Sequence, residues 1–171
     1  CLFRPIHAFL LPLLLASQAL PIFVIAPLLV LWFGYGITAK ILTTTFMLFF
    51  PVANNFLDGL KQTPENYLNL AHIMNSSRWQ TLYQIRIPAA LPNLASGIRI
   101  ATAMAPLGAI IGEWVGSSQG LGFLLLNANA QMQTGLMFAI LAVIFFFSIF
   151  IYFLIDKLLC LGMPWTLLKS H

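Results

Sequence analysis

Eight lysines and arginines, four acids, three histidines and two cysteines are all the titratable side chains, tyrosines aside, in 171 residues. They form no catalytic constellation. There is no HExxH pair for a metal, no GxxxxGK[ST] loop for a nucleotide and no nucleophile elbow. Glu113 is the acid set deepest in an apolar run. An ionisable group there is costly and is by default a candidate for a translocation path or a gate. The apolar run stops near Val115, so a structural hydrogen bond or an outer-interface position also fits Glu113. Asp58 and Lys61 read as a charge pair at a helix end. His7 reads as interfacial, and His72 as a solvated or partner-contacting side chain; neither belongs to a metal-ligand cluster. Cys1 and Cys160 lie near opposite ends and indicate neither a disulfide framework nor a metal site. The expectation is no catalytic residue, no metal and no cofactor.

The elements around these residues are those of a membrane protein. Composition is 60% hydrophobic and 7% charged, with a mean hydropathy of +0.93, far from soluble averages. The net charge of +4 comes from scattered basic residues flanking apolar runs, which excludes a nucleic-acid surface. Crossing a bilayer takes roughly 20 apolar residues. The prolines between Pro5 and Phe33 predict a short helix to about Ala16, then a span from about Gln18 to Phe33. Gly34-Tyr35-Gly36 is a turn. Further spans are expected at Thr38–Leu60, Asn93–Val115 and Leu136–Ile155. Gly116–Thr134 reads as a small-residue and amide-rich connection with one short helix. Trp32, Trp114 and Trp165 fall near span ends, as an aromatic belt requires. Gly97, Ala101, Ala105, Gly108, Gly112, Gly116 and Gly120 place a small residue on nearly every turn of the third span, the pattern that lets membrane helices approach closely. That ridge fits packing within one subunit, or a subunit interface or pathway where helices slide. No repeat or low-complexity linker divides residues 1–171, which read as one transmembrane domain.

Residues 62–92, QTPENYLNLAHIMNSSRWQTLYQIRIPAALP, form the longest polar interruption. Thr63-Pro64-Glu65 reads as a helix start, with a hydroxyl cap, a first-turn proline and an acid on the positive end of the dipole. Tyr67, Leu70, Ala71 and Met74 recur at i, i+3, i+4 and i+7, a single apolar stripe. Asn75-Ser76 breaks the helix. Ser77 with Gln80 is a capping box opening a second short helix, with Trp79, Leu82 and Tyr83 on one face. Pro88 and Pro92 are expected to end it. With this loop in the cytoplasm, Arg4, Lys61, Arg78, Arg86, Lys157 and Lys169 share its side, Arg99 can snorkel to it, and Lys40 alone falls opposite. That is a positive-inside bias.

The loop resembles the EAA loop of permease subunits of bacterial binding-protein-dependent ABC importers, which reads roughly Glu-Ala-Ala, three residues, Gly, nine residues, Ile-x-Leu-Pro. Ala71, Ile85 and Pro88 match that pattern, Ile87 is a mild change, and Asn69, Leu70 and Asn75 depart from it. Asn75 is tolerable at the glycine place because asparagine is the next-best residue for a left-handed turn. The resemblance covers nearly the whole chain. LPIFVIAPLLVLWFGYG (20–36) and GEWVGSSQGLGFLLLNANAQMQT (112–134) are similar to permeases of the nitrate, sulfonate, taurine and pyrimidine-precursor group. The WVGSSxGLG and LNANA runs and Pro164-Trp165 look most like permeases for the hydroxymethylpyrimidine precursor of thiamine.

The resemblance implies an all-α, polytopic permease core of the type I importer kind, in the bacterial inner membrane, with loop and C-terminus cytoplasmic. It also implies two further helices before Arg4. The start at Cys1 is read as an incomplete or processed end, with a lipoprotein cysteine as the alternative. The implied partners are a cytoplasmic ATPase dimer that does the hydrolysis, a second permease subunit in a homodimer, a periplasmic binding protein and the bilayer. Tyr67, Leu70, Ala71 and Met74 would be the packing face toward the ATPase. Asn69, Asn75 and Arg78 would make directional contacts, and Asp58 is a further ATPase-contact candidate. Nitrate, aliphatic sulfonate and taurine are alternative solutes. An ATP-independent channel or secondary transporter would need paired intramembrane charges or broken half-helices in repeated halves, and an intramembrane enzyme would need paired catalytic groups.

Overall fold

The computed structural model describes residues 21–163, and every described element is helical. The short helix to Ala16, His7, Trp165 and the flanking charges Arg4 and Lys169 lie outside the described residues, as do the two ends of the chain. Helix α1 is Ile22–Phe33, 12 residues with Pro27 inside, and closes on Gly34 at φ 77°. Helix α2 is Ile37–Lys61, α3 is Glu65–Ile73 and α4 is the single turn Arg78–Thr81. A π turn, Leu82–Arg86, joins α4 to α5, Ile87–Gly116; α6 is Leu121–Ala130 and α7 is Thr134–Gly162.

Three helical runs are long and apolar enough to cross a membrane: Ile37–Lys61, Arg78–Gly116 and Thr134–Gly162, of 25, 39 and 29 residues. At 1.5 Å per residue each exceeds the ~30 Å hydrocarbon thickness. The middle run departs from the expectation of a break at Pro88 and Pro92. The chain stays helical through both. Pro88 lacks an N–H, and in a regular helix its ring would press on the carbonyl four residues back. The π turn before it relieves this: the Ile87 amide reaches back five residues to the Leu82 carbonyl, which widens the helix. The second short helix of the loop is therefore the first turn of the third span.

The described residues fall into two compact units. The first holds the chain through Phe50 together with Thr102–Tyr152. In it α5 presents glycines to α2 and α1: a Cβ on Gly108 would lie 3.1 Å from Thr44, on Gly112 3.1 Å from the Lys40 Cα, and on Gly116 2.8 Å from Val30. Ala39 and Thr43 are buried, and the Thr43 hydroxyl donates to the Ala39 carbonyl at 2.8 Å. The second unit holds Pro51–Ala101 and the chain from Phe153. There a Cβ on Gly59 would lie 2.8 Å from Asn93, and one on Gly97 3.0 Å from the Pro51 carbonyl oxygen. Arg99 on α5 donates to Asp156 on α7 at 2.5 Å. In both units the ridge of small residues packs within this chain. Among the described residues the largest fully buried side chain is Thr43. The phenylalanines of α7 point outward, Phe138 at 73% and Phe146 at 69% exposure. This is the distribution expected where helices meet through small residues and lipid solvates the large ones.

Candidate functional site

The candidate site is the loop in the second unit, and its backbone is closed by interactions that its own sequence supplies. Its entry corrects one expectation. The Thr63 hydroxyl does not cap α3; it turns back to the Leu60 carbonyl at 3.1 Å, at the end of α2 where carbonyls lack helical partners. Pro64 occupies the cap position without a side-chain bond, and Glu65 opens α3 at the positive end of its dipole. Asp58 and Lys61 are 3.1 Å apart, the helix-end pair expected, and Asn54 also donates to Asp58 at 3.3 Å.

α3 ends in a Schellman motif. The Ser76 amide bonds the Ala71 carbonyl at 3.1 Å and the Asn75 amide bonds the His72 carbonyl at 3.1 Å. That leaves Asn75 in the left-handed region at φ 49°, the place where glycine is the usual residue. The Ser76 hydroxyl bonds Ala71 O at 3.0 Å and the Thr81 hydroxyl at 2.8 Å. Ser77 then opens α4 with both bonds of a capping box, Gln80 N to Ser77 Oγ at 3.3 Å and Ser77 N to Gln80 Oε1 at 2.8 Å. These bonds tie the end of α3 to the start of α4.

On this frame Tyr67, Leu70 and Met74 are exposed, at 50%, 51% and 69%. Ala71 is not: it is 4% exposed, so it supports the loop from beneath instead of joining the outward stripe. Ile73, at 80% exposure, is the largest addition to that surface. It follows Leu70 by three residues, a spacing legible in the sequence. Trp79 and Tyr83 are exposed and stack at 6.4 Å, whereas Leu82, grouped with them by spacing, is half-buried. Asn69, His72, Arg78 and Pro88 are exposed and Ile85, within the π turn, is half-buried. The result is an apolar and aromatic surface edged by an arginine and amides, on a segment whose backbone is held by local bonds. It has the makings of a protein-docking surface and carries no catalytic geometry. Among the described residues no three His, Cys, Asp or Glu side chains gather as a metal site.

Glu113 belongs to the other unit. Its carboxylate accepts the Gly122 amide at 2.6 Å and lies 4.0 Å from Lys40 Nζ. Trp114, expected only as an interface anchor, also donates to Gly122 O at 3.0 Å and stacks on Phe23 at 6.1 Å. Spacing could not reveal these partners, because Lys40 and Glu113 are far apart in the chain.

Helices of membrane-spanning length, contacts made through glycine and a built polar loop between spans define a multi-pass membrane protein. Residues 2–159 match the family described as the inner membrane component of binding-protein-dependent transport systems, and the chain belongs to that family. It is 54% identical over 156 residues to a probable ABC transporter permease protein of Haemophilus influenzae, covering 91% of this chain and 64% of that protein. It is 38% identical over 154 residues to the formylaminopyrimidine transport permease protein ThiX of Halalkalibacterium halodurans (90% and 62% covered). The riboflavin transport system permease protein RibX of Chloroflexus aurantiacus is 37% identical over 154 residues, with 90% of this chain and 58% of that protein covered. The chain thus spans about three fifths of the length of these curated relatives.

Proposed function

We propose that the chain acts as a translocation subunit of an ATP-driven importer, with residues 62–92 as the element that engages a separate ATPase. The observation behind this reading is the exposed surface of Tyr67, Leu70, Ile73, Met74, Trp79 and Tyr83 on a loop whose ends are closed by a Schellman motif and a capping box. Apolar and aromatic side chains on an ordered backbone suit a partner groove. Asn69, Asn75 and Arg78, exposed beside that surface, would supply directional hydrogen bonds once the groove is occupied. Two such subunits form the pathway, each offering its loop to one half of a cytoplasmic ATPase dimer. Closure of the dimer on ATP draws the loops together and rocks the spans, so that a solute delivered by a periplasmic binding protein can enter. Because α4 is continuous with α5, force on the loop acts directly on a membrane-spanning helix.

The solute we assign is a small pyrimidine precursor of thiamine. The WVGSSxGLG and LNANA runs support it, as does the similarity to the formylaminopyrimidine transport permease. The riboflavin permease is almost as similar, and sulfonate-type solutes are the remaining alternatives. The decisive experiment is co-purification of the full-length protein with its cognate ATPase from membranes. The ATPase is expected to follow, and to be lost when residues 64–87 are replaced by a flexible linker or when Leu70 and Met74 are both changed to Asp. Retention of the ATPase by the folded Asp variant would remove the loop from the coupling role. Uptake of labelled pyrimidines, riboflavin and taurine by the intact transporter then separates the solutes.

A further inference from the structure

Helix α6 begins without a cap of its own. Gly120 stands at the cap position and makes no side-chain bond, and the amides of a first helical turn have no partner inside their helix. The cap comes from another helix. Glu113, on the last turn of α5, directs Oε2 at the Gly122 amide at 2.6 Å, where a carboxylate also complements the positive end of the dipole. Lys40 on α2 holds the other side of the carboxylate, 4.0 Å from Oε1, and donates to the Gln119 carbonyl at 3.3 Å in the α5–α6 connection. The close approach at Gly112, whose Cβ would lie 3.1 Å from the Lys40 Cα, puts that lysine within reach. Two more glycines make room. Gly120 is at φ 123° and a Cβ there would run into the Glu113 carboxylate; one on Gly122 would lie 3.0 Å from Glu113 Oε2. Trp114 closes the corner from the next position, donating to Gly122 O at 3.0 Å.

We infer that Glu113 is a positioning residue: its carboxylate is the amino-terminal cap of α6, supplied across helices and held by Lys40, and it fixes the α5–α6 corner. One carboxylate oxygen accepts the Gly122 amide and the other faces Lys40 at 4.0 Å, so the acid serves as a structural tie at this corner. Gln can still accept the Gly122 amide; Ala cannot.

The test is hydrogen exchange at single-residue resolution on the full-length protein in lipid nanodiscs. The Gly122 amide has no acceptor within its own helix, so its protection reports on Glu113 directly. E113A is expected to speed Gly122 exchange about tenfold or more, while E113Q stays within about twofold of the parent. G120A, with Glu113 intact, displaces the carboxylate and is expected to speed exchange as E113A does; it carries the test if E113A fails to fold. Unchanged exchange in E113A or in G120A would overturn the assignment, as would E113Q behaving like E113A. None of these outcomes depends on whether the chain is a transport subunit or on its solute.

Discussion

Asn75 adopts φ 49° with its own amide bonded to His72 and the next amide bonded to Ala71. A left-handed residue costs an L side chain about 1–2 kcal/mol, less for asparagine and nothing comparable for glycine. Asn75→Gly is therefore expected to leave the loop intact. Asn75→Val, β-branched and strained there, is expected to loosen it by about 1 kcal/mol or more, read as faster limited proteolysis between Ile73 and Ser77 in the detergent-solubilised protein. Ala71 illustrates the opposite limit of spacing arguments. Its position on the stripe with Tyr67, Leu70 and Met74 was legible from periodicity, but its burial at 4% exposure was not, because periodicity fixes only which residues share a face of one helix. Arg99, which can snorkel toward the interface, donates to Asp156, a partner on the last helix that no local pattern identifies.

At the scale of elements, α5 is set by two devices. Its glycines bring other helices to backbone distance, and its π turn carries the helix past Pro88. Side chains larger than hydrogen at the first kind of site must displace a neighbouring helix, and overpacking of this sort costs about 1–3 kcal/mol. Gly112→Ile is expected to lower the thermal midpoint of the purified protein by several degrees, since the new side chain meets the backbone at Lys40 and not a flexible tip. Gly135→Ile is the control, because nothing lies within 4 Å of a Cβ there, and it is expected to leave the midpoint in place. Both limits of α2, the end of α1 and the start of α7 were legible to within a few residues, because apolar runs bounded by charges, glycine or amides leave little freedom, whereas α7 runs on to Gly162, past the expected end at Ile155. The continuity of Arg78–Gly116 was not legible. Proline forbids a regular i to i−4 bond, but whether a chain answers by stopping or by widening one turn depends on what its surroundings hold in place.

For the whole molecule, family membership and three helices of spanning length place the chain in the inner membrane. The acids Asp58, Glu113 and Asp156 each lie beside a base, so these carboxylates near or within the spans are paired and not left to lipid. Lys61, Arg78 and Arg86 lie on or beside the loop, so the positive-inside rule favours a cytoplasmic loop. A Ser77→Cys variant, with the native cysteines replaced, is expected to react with a membrane-impermeant maleimide only in inside-out vesicles. Gln131→Cys, on the exposed turn after α6, is expected to react only in right-side-out ones. The reverse pattern would invert the topology and remove the loop from an ATPase in the cytoplasm.

The amino-acid sequence by itself determined the class: apolar runs of spanning length, a polar loop with its capping signals, and a ridge of small residues. These are local properties, set by hydropathy, backbone preference and spacing along a helix. What the tertiary structure alone decided was which groups meet. Lys40 reaches Glu113 and Gln119, Glu113 caps α6, Arg99 finds Asp156, and Ala71 turns inward while Ile73 turns out. A helix fixes the direction of its side chains only relative to its own axis. Which neighbour they face depends on how closely the helices approach, and here that distance is set by glycines on one helix meeting the backbone of another.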